Sequence, residues 1–269
     1  MDGEVTEGLM CSEELSLRAL RQVPHVAPGD DVAALIDAAL RAEALTLADC
    51  DVLVVCSKIL AKAEDRYLDL STLEPSPAAL ELAARSGKDA RLVEAILQES
   101  ERVSRVGRDA LIVRHKSGHV SANAGIDQSN VRPPHADQGS GPWVLRLPID
   151  SDAAAEHLRQ QLSATWHARI AVIISDSFGR PLRVGTVGTA IGCAGIDPLF
   201  DQRGKTDLFG RTLEHTISAT ADQIAAAADL IAGQAAEGRP VVRVRGLKFP
   251  PSERGASVLS RPPGEDLYL

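Results

Sequence analysis

Two aspartates, Asp127 and Asp176, are each followed in the sequence by hydroxyl or amide side chains. Ser177 comes directly after the second aspartate, and Arg180 and Arg183 follow shortly afterwards. Hard divalent cations prefer oxygen ligands, and the planar guanidinium of arginine binds phosphate through paired hydrogen bonds. These residue types predict a site for a metal ion and phosphate, which are the groups that phosphoryl transfer requires. A strand that ends in an acidic turn is the alternative.

Two lysines, Lys58 and Lys62, come shortly after an apolar run at 52–56. An ammonium group acts as a point charge at phosphate sites, although a solvated helix face is the alternative for such lysines. The motifs GxxxxGK[ST], GxGxxG, HExxH and GxSxG are absent, which removes the commonest phosphate cradles and two hydrolase classes. None of the seven histidines forms a pair with the spacing of a zinc site, so the predicted chemistry depends on oxygen ligands and cations.

The hydrophobic pattern predicts the elements that hold these residues. The run 170–174 predicts a buried strand that empties into Ser175, with Asp176 at its exit and glycines that let backbone N–H groups approach an anion. Segment 120–131 has little to bury and is predicted to be a structured loop, in which Asp127 is either a metal ligand or part of a plain loop. Further strands are predicted at 52–56, 110–115, 143–147 and 240–245, and helices at 32–40, 76–100 with a break at Gly87, 151–163 and 218–232.

The composition excludes several classes of protein. Of 269 residues, 44% are hydrophobic and 25% charged, as in ordinary globular domains. Aromatic residues at 3% and a net charge of -8 argue against binding of nucleic acid or anionic membranes, and no apolar run approaches the roughly 20 residues that cross a bilayer. The N-terminus lacks a signal-peptide profile, and the four cysteines form no CxxC pair, which indicates reduced thiols. We therefore expect a cytoplasmic protein.

Five segments stand out in order along the chain: SKILAKAED, SANAGIDQSN, ISDSFGRPLRVGT, AIGCAGI and DQIAAAADLIAGQAAEGRPVVRVRG. Together they resemble the coenzyme F420-0:L-glutamate γ-ligase family over roughly 23–246. The resemblance implies an α+β fold of mixed sheets with flanking helices, in two intimately joined subdomains, and an intertwined homodimer. It also implies the single-domain form without the C-terminal flavin-binding domain of some relatives. The expected divisions are a loose N-terminal extension at 1–19, a catalytic domain at 20–250 and a C-terminal arm at 251–269.

Enzymes of that family require GTP and divalent metal, so the resemblance implies roles for the matching positions. Asp127 and Asp176 would hold the first of two cations, Mg²⁺ or Mn²⁺, and Ser177 would help to hold the second. Gln234 is a weaker metal-ligand candidate, K⁺ is a further candidate ion, and Asn130 would contact the nucleotide phosphates. The rest of the implied GTP pocket consists of Val23, Pro24, His25, Val26, Ser57, Lys58, Lys62 and Gly233, with the segment up to Arg239 closing over it.

The implied reaction joins L-glutamate to the terminal carboxylate of coenzyme F420-0, through an acyl phosphate formed from GTP, and later rounds add γ-linked glutamates. From their charge, we expect Arg180 and Arg183 to orient phosphate or the substrate carboxylate. Two alternatives remain: a metal-dependent phosphatase or kinase that uses the same carboxylates, and a non-catalytic nucleotide-binding module. The chain departs from the family pattern at Asp65, where glycine is usual, and Asp tolerates a positive φ less well than glycine.

Overall fold

The computed structural model describes residues 10–134, 136 and 140–265, which fold into an α+β protein with six α-helices and twelve strands. The strands are β1 (Met10–Ala19), β2 (Val52–Cys56), β3 (Tyr67–Asp69), β4 (Ser100–Gly107), β5 (Ala110–His115), β6 (Val120–Ala122), β7 (Trp143–Leu145), β8 (Ala171–Arg180), β9 (Arg183–Ala194), β10 (Phe200–Asp201), β11 (Ile217–Ser218) and β12 (Val241–Lys248). The helices are α1 (Val32–Ala42), α2 (Ser57–Ala63), α3 (Pro77–Ser86), α4 (Ala90–Gln98), α5 (Ser151–Trp166) and α6 (Thr220–Ala232).

The largest sheet has the strand order β1-β12-β2-β8-β9, and its two middle partners β2 and β8 are parallel. Both are continuous apolar runs because α1 and α5 cover one face of the sheet and α6 covers the other. The carboxyl end of β2 therefore lies beside Ser175 and Asp176 of β8, where the buried half of β8 ends. Open sheets with parallel strands bind ligands at such strand ends. The predicted α+β class with mixed sheets is confirmed.

The sequence predicts that strand β8 ends at Ser175, but in the structure the strand is longer. It continues to Arg180, turns, and returns as β9, so Asp176 and Ser177 lie within a strand. Burial decreases along this hairpin: the side chains of 171–174 are buried, whereas Leu182 near its tip is 95% exposed. The apolar run stops where burial stops, while backbone pairing continues.

Two glycines of β9 make room for helices rather than for an anion. A Cβ atom at Gly188 would lie 2.6 Å from the carbonyl oxygen of Ala225 in α6. A Cβ atom at Gly192 would lie 2.2 Å from the carbonyl oxygen of Ser151 in α5. Close helix packing therefore requires these two glycines, and the predicted approach of the glycine-rich backbone to an anion stays a prediction.

Strand β9 forms one edge of the large sheet, and three of its N–H groups donate to aspartate side chains instead of to another strand. The aspartates lie on α5 and α6, the helices that flank this edge. The three hydrogen bonds run from Gly188 N to Asp229 Oδ2 (3.0 Å), from Ala190 N to Asp222 Oδ1 (2.9 Å) and from Cys193 N to Asp152 Oδ1 (2.9 Å).

A second apolar core holds the loop that contains Asp127. Helices α3 and α4 pack against the sheet β4-β5-β6, whose last two strands are joined by the predicted hairpin turn at 116–119. After β6 the chain forms a short 3-10 helix at Asn123–Gly125. The backbone N–H and C=O of Asp127 then form two hydrogen bonds with Leu145, each of 2.9 Å. Residues 126–131 therefore form a structured loop, as predicted, whereas 120–122 form strand β6, which the sequence did not predict.

Both terminal segments are held more firmly than the sequence indicates. Residues 10–19 of the predicted loose extension form β1, which pairs with β12, and residues 1–9 lie outside the described part of the chain. In the predicted C-terminal arm, Ala256 is buried and its N–H donates to Asp152 Oδ1 at 2.7 Å. No helix in the described residues has the length and apolarity that a membrane span requires.

Single residues mark several helix ends, and the predicted break at Gly87 is confirmed. The carboxylate of Asp31 caps α1, and Gly87 in the left-handed conformation separates α3 from α4. Gly233 ends α6 with a φ of 82°. Asp65 has a φ of 52°, so aspartate here occupies the conformation that explains the family's usual glycine. Among the described side chains the cysteines are free, as expected of reduced thiols.

Candidate functional site

The candidate site lies where β2 ends and where the buried half of the adjacent strand β8 ends. Ser57 and Lys58 begin α2 directly after β2, and Asp176 follows the buried half of β8. Ser57 Oγ donates a hydrogen bond to Asp176 Oδ1 at 3.2 Å. Because the two strands are parallel and adjacent, they bring together residues that are 119 positions apart in the sequence.

The Asp127 loop brings a second carboxylate to the same place. Asp127 Oδ1 accepts hydrogen bonds from the N–H and Oγ of Ser129 at 2.7 and 2.8 Å. Asp127 Oδ2 forms an ion pair with Lys58 Nζ at 2.6 Å, and the same ammonium donates to the carbonyl of Ser129 at 3.0 Å. Lys58 therefore joins the end of β2 to the loop after β6.

The two carboxylates interact electrostatically, and their pKa values shift in opposite directions. Burial is the main cause that raises the pKa of Asp176 to about 6, and the negative charge of Asp127 adds to the rise. Burial also acts to raise the pKa of Asp127, but hydrogen bonds from Lys58 and Ser129 outweigh it and hold that pKa below its usual value. A bound cation would stabilise ionised Asp176 as Lys58 stabilises ionised Asp127.

Lys62, one turn further along α2, supplies a second ammonium group beside the site. Burial lowers the pKa of Lys62, the positive charge of Lys58 lowers it further, and the charge of Asp127 opposes this. Within the described part of the chain, no group forms a hydrogen bond with Lys62 Nζ. A half-buried ammonium group without an anionic partner is suited to bind an anionic ligand.

Residues 23–26, which the resemblance assigns to the nucleotide pocket, lie against the same helix. Val26 is buried in one core with Ile59 of α2, while Pro24 and His25 are exposed. A little further on, the backbone N–H of Gly29 donates to the carbonyl of Ala63 at 2.8 Å. The structure thus brings this segment beside the helix that carries both lysines.

The loop 233–239 after α6 also reaches the site. Gln234 Oε1 accepts a hydrogen bond from Ser177 Oγ at 2.7 Å, and Gln234 Nε2 donates to Asp229. Asn130 Nδ2 donates to the carbonyl of Ala235 at 3.2 Å. Residues of the Asp127 loop, of β8 and of the segment after α6 are therefore in direct contact.

Arg180 and Arg183 do not join this cluster within one chain. They pair with each other across the tip of the β8–β9 hairpin, and both are exposed. Four residues of strand separate Arg180 from Asp176, which corresponds to about 13 Å. Their role in orienting phosphate or carboxylate stays a prediction.

The donor atoms at the site suit a hard divalent cation. Asp127 and Asp176 offer carboxylate oxygens, Ser177 a hydroxyl, and Gln234 an amide oxygen. The described residues contain no group of three or more His, Cys, Asp or Glu side chains that could hold a metal ion. A cation here would complete its coordination with ligand phosphates and water, as Mg²⁺ commonly does. Burial raises the pKa of nearby Cys56 to about 11.

Two residues of the site were missed from the sequence. Ser129 contacts both Asp127 and Lys58, and its position two residues after an aspartate is typical of an Asx turn, which is a signal that could have been used. Asp229 accepts hydrogen bonds from Gln234 Nε2 and from the N–H of Gly188 in β9. In the sequence it is only an acidic residue of an Ala-rich helix. Nothing in the local sequence distinguishes it from a solvated side chain.

These features define an α+β protein whose candidate site combines paired carboxylates, lysines and an overlying loop at the ends of two parallel strands. The chain belongs to the F420-0:Gamma-glutamyl ligase family, whose profile matches residues 21–246. It is 44% identical to the coenzyme F420:L-glutamate ligase of Methanothermobacter thermautotrophicus, over 94% of this chain and 98% of that protein. Proteins of the same name from Methanopyrus kandleri (44% identity, 90% and 93% of the two chains) and Archaeoglobus fulgidus (45%, 84% and 85%) are also similar.

Proposed function

We propose that this protein is a GTP- and divalent-metal-dependent ligase that joins L-glutamate to the terminal carboxylate of coenzyme F420-0. Later rounds add further γ-linked glutamates. The observation that supports this most is the meeting of four distant segments, 57–62, 127–130, 176–177 and 234–235, at one edge of the sheet. The similar archaeal proteins carry names that state the same coenzyme and the same amino acid.

In this proposal the side chains at the sheet edge bind the nucleotide and two cations. Asp127 and Asp176 would hold one Mg²⁺ or Mn²⁺ ion, and Ser177 with Gln234 would hold the other. When bound, the cations supply neutralisation of the charge that develops on the phosphates during transfer. Phosphate binding falls to three donors near them: Lys58, Lys62 and Asn130.

The chemical logic is that a carboxylate is a poor electrophile until it carries a good leaving group. The F420-0 carboxylate would attack the γ-phosphorus of GTP and release GDP. The glutamate amine would then attack the carbonyl carbon of the acyl phosphate, lose a proton and displace inorganic phosphate, which leaves the amide. The chain must hold two anions next to each other, and Lys58 and Lys62 reduce their repulsion. The loop 233–239, tied down through Ser177 and Asn130, would exclude the water that otherwise hydrolyses the acyl phosphate.

We further propose that the protein acts as a homodimer. Leu182 and Val184 near the tip of the β8–β9 hairpin, and Leu208 and Phe209 on the arm between β10 and β11, are 95% or more exposed. Large exposed apolar side chains on projecting arms are typical of protein interfaces. If a second copy covered these arms, Arg180 and Arg183 of each subunit would lie against the other subunit.

One assay tests the proposed reaction against its alternatives. Purified protein is incubated with GTP, Mg²⁺ or Mn²⁺ and F420-0, with and without L-glutamate, and the products are analysed by mass spectrometry. We expect F420-0 to gain the mass of one glutamyl unit only when glutamate, GTP and metal are all present. GTP turnover that is independent of both F420-0 and glutamate would indicate a phosphatase, and GTP binding with no turnover for any acceptor would indicate a binding module.

A further inference from the structure

A cavity of about 510 Å³ lies beside the candidate site and is not used by the roles proposed above. Phe178 forms part of its wall and shares a face of β8 with Asp176, two residues or about 7 Å further along the strand. The other walls come from the β5–β6 hairpin, the N-terminus of α5, the edge of β9 and the turn at 256–261. The lining residues that matter here are Arg114, His119, Asp150, Asp222, Ser257 and Arg261.

Donor groups face the cavity from the hairpin side. The side chain of Arg114 is only 15% exposed, and its Nε lies 3.0 Å from Glu101 Oε2. The Nε–H is enclosed by protein and has no hydrogen-bond partner within the described residues. A ligand in the cavity would therefore meet the terminal Nη groups, which have no partner among the same residues either. His119 Nδ1 lies 2.8 Å from Ser117 Oγ, while its buried Nε2 has no partner among the same residues. The guanidinium of Arg114 is therefore held in place with unused donor capacity.

A carboxylate faces the cavity from the opposite wall. Asp222 Oδ1 accepts the N–H of Ala190, and within the described residues no hydrogen-bond donor contacts its Oδ2. Burial raises the pKa of Asp222, because no cation offsets the loss of water around it. The carboxylate of Asp152, which also lines the cavity, differs because both of its oxygens accept backbone N–H groups. Asp222 is thus a half-buried lining carboxylate with one oxygen that can accept from a cationic group. Asp150, whose Oδ1 accepts the N–H of Ala153, also lines the cavity but is exposed.

We propose that this cavity binds the amino-acid substrate, with Arg114 on a carboxylate and Asp222 on the ammonium group. This inference rests on the proposed ligase function and names the place of its second substrate. Opposite charges on two walls match a zwitterion, whereas a nucleotide triphosphate would meet the carboxylates of Asp150 and Asp222. A five-carbon amino acid spans about 6 Å between its ends by standard bond lengths. That length is similar to the distance along β8 from Phe178 in the cavity wall to Asp176, so a substrate in the cavity can extend toward a carbonyl group held near Asp176.

The test uses two conservative variants and a matched control in the full-length protein. Arg114→Gln removes the guanidinium, and Asp222→Asn removes the charge but keeps an oxygen that can accept the N–H of Ala190. Glu101→Gln removes the ion-pair partner of Arg114 without changing the cavity wall. Steady-state ligation is measured while glutamate or GTP is varied, with F420-0 and metal saturating.

We expect Arg114→Gln and Asp222→Asn each to raise the KM for glutamate at least tenfold and to leave the KM for GTP within twofold. Glu101→Gln should behave like the unmodified protein. The proposal is overturned if the glutamate KM of both cavity variants is unchanged, or if Glu101→Gln shifts it as much as Arg114→Gln does. The second result would mean that Arg114 acts only through its ion pair.

A binding experiment separates failure of this inference from failure of the proposed function. Saturation-transfer NMR on the nucleotide-free protein is run with L-glutamate, with glutarate, which lacks the amine, and with 4-aminobutyrate, which lacks the α-carboxylate. We expect L-glutamate to bind more strongly than either analogue and to lose binding in Arg114→Gln. Glutamate binding without any ligation would contradict the proposed reaction and keep the amino-acid site. Ligation with equal binding of glutamate and glutarate to both the unmodified protein and Asp222→Asn would refute the site.

Discussion

The root and the tip of the β8–β9 hairpin come from one stretch of sequence but have different environments. At the root, Asp176 and Ser177 lie beside the parallel strand β2 and form hydrogen bonds with Ser57 and Gln234. At the tip, Arg180 and Leu182 are exposed to solvent. The comparison shows that proximity in sequence does not place polar groups in one site. A neighbouring strand does so at the root, whereas the tip projects into solvent.

The largest effect is expected when a carboxylate charge is removed at the root of the hairpin. Asp127→Asn or Asp176→Asn should each reduce the rate of ligation by at least about 100-fold, because each removes a carboxylate that we propose to hold a charge-neutralising cation. The measurement is GTP-dependent glutamylation of F420-0 at saturating substrates. Near-normal, metal-dependent ligation by either variant would show that the two carboxylates are not a metal site.

At the tip we expect the effect to fall on association. Leu182→Asp combined with Val184→Asp should weaken self-association at least about 100-fold, since burial of each apolar side chain contributes about 1.5–3 kcal/mol. Sedimentation velocity across a dilution series measures the change, and Leu80→Asp, an exposed leucine on α3, is the matched control. Equal dimer content in the tip variant and the control would place the subunit contact elsewhere.

The tip arginines should matter less than the root carboxylates. Arg180→Ala and Arg183→Ala are each expected to lower kcat/KM less than about tenfold, because exposed ion pairs contribute roughly 0–1 kcal/mol. Comparing kcat/KM for F420-0 with that for GTP shows which substrate is affected. A loss as large as that of Asp176→Asn would mean that the tip enters the partner's site and that the root and tip act together.

The smallest effect is expected midway along the hairpin, where His119 packs on Phe178 with ring centroids 5.1 Å apart. Burial lowers the pKa of His119 to about 3, so the folded state binds fewer protons than the unfolded state below pH 6.5. The free energy of unfolding should therefore fall as pH decreases from 6.5 toward 3.

The effect of His119 between pH 7 and 5 should be on the order of 1 kcal/mol. Urea unfolding at these two pH values measures it, with His119→Phe as the variant that keeps a ring on Phe178 but cannot be protonated. The variant should lose less stability on acidification than the unmodified protein. A His119 ring that titrates near pH 6.5 by NMR would contradict the expectation.

The sequence predicted the buried parts of the fold well because burial leaves a strong pattern. The run 170–174 reads as a strand because both of its faces pack against helices, and Asp31 and Gly87 mark helix ends through local backbone chemistry. The outer half of the hairpin was missed because its residues are small, mixed in polarity and partly exposed. Backbone pairing holds that half together, and pairing leaves no hydrophobic pattern to detect.

The candidate site was predictable in its residues but not in its geometry. Charge and oxygen chemistry drew attention to Asp176 and Lys58, and the family resemblance added the segments at 23–26 and 233–239. The ion pair between Lys58 and Asp127 depends on the register of the parallel strands β2 and β8 and on the backbone bridge between Asp127 and Leu145. Neither feature can be read from the local sequence. Arg180 and Asp176 were predicted to share a site because the local sequence does not show that strand β8 continues straight from one to the other.

The aspartates that accept N–H groups from β9 limit how copies of this protein can assemble. An open strand edge with free donors can recruit the edge of another molecule and propagate into fibres. Here Asp152, Asp222 and Asp229 occupy donors along that edge, so a newcomer would find carboxylates where it needs backbone partners. Growth of the large sheet from one molecule into the next is thus blocked along β9.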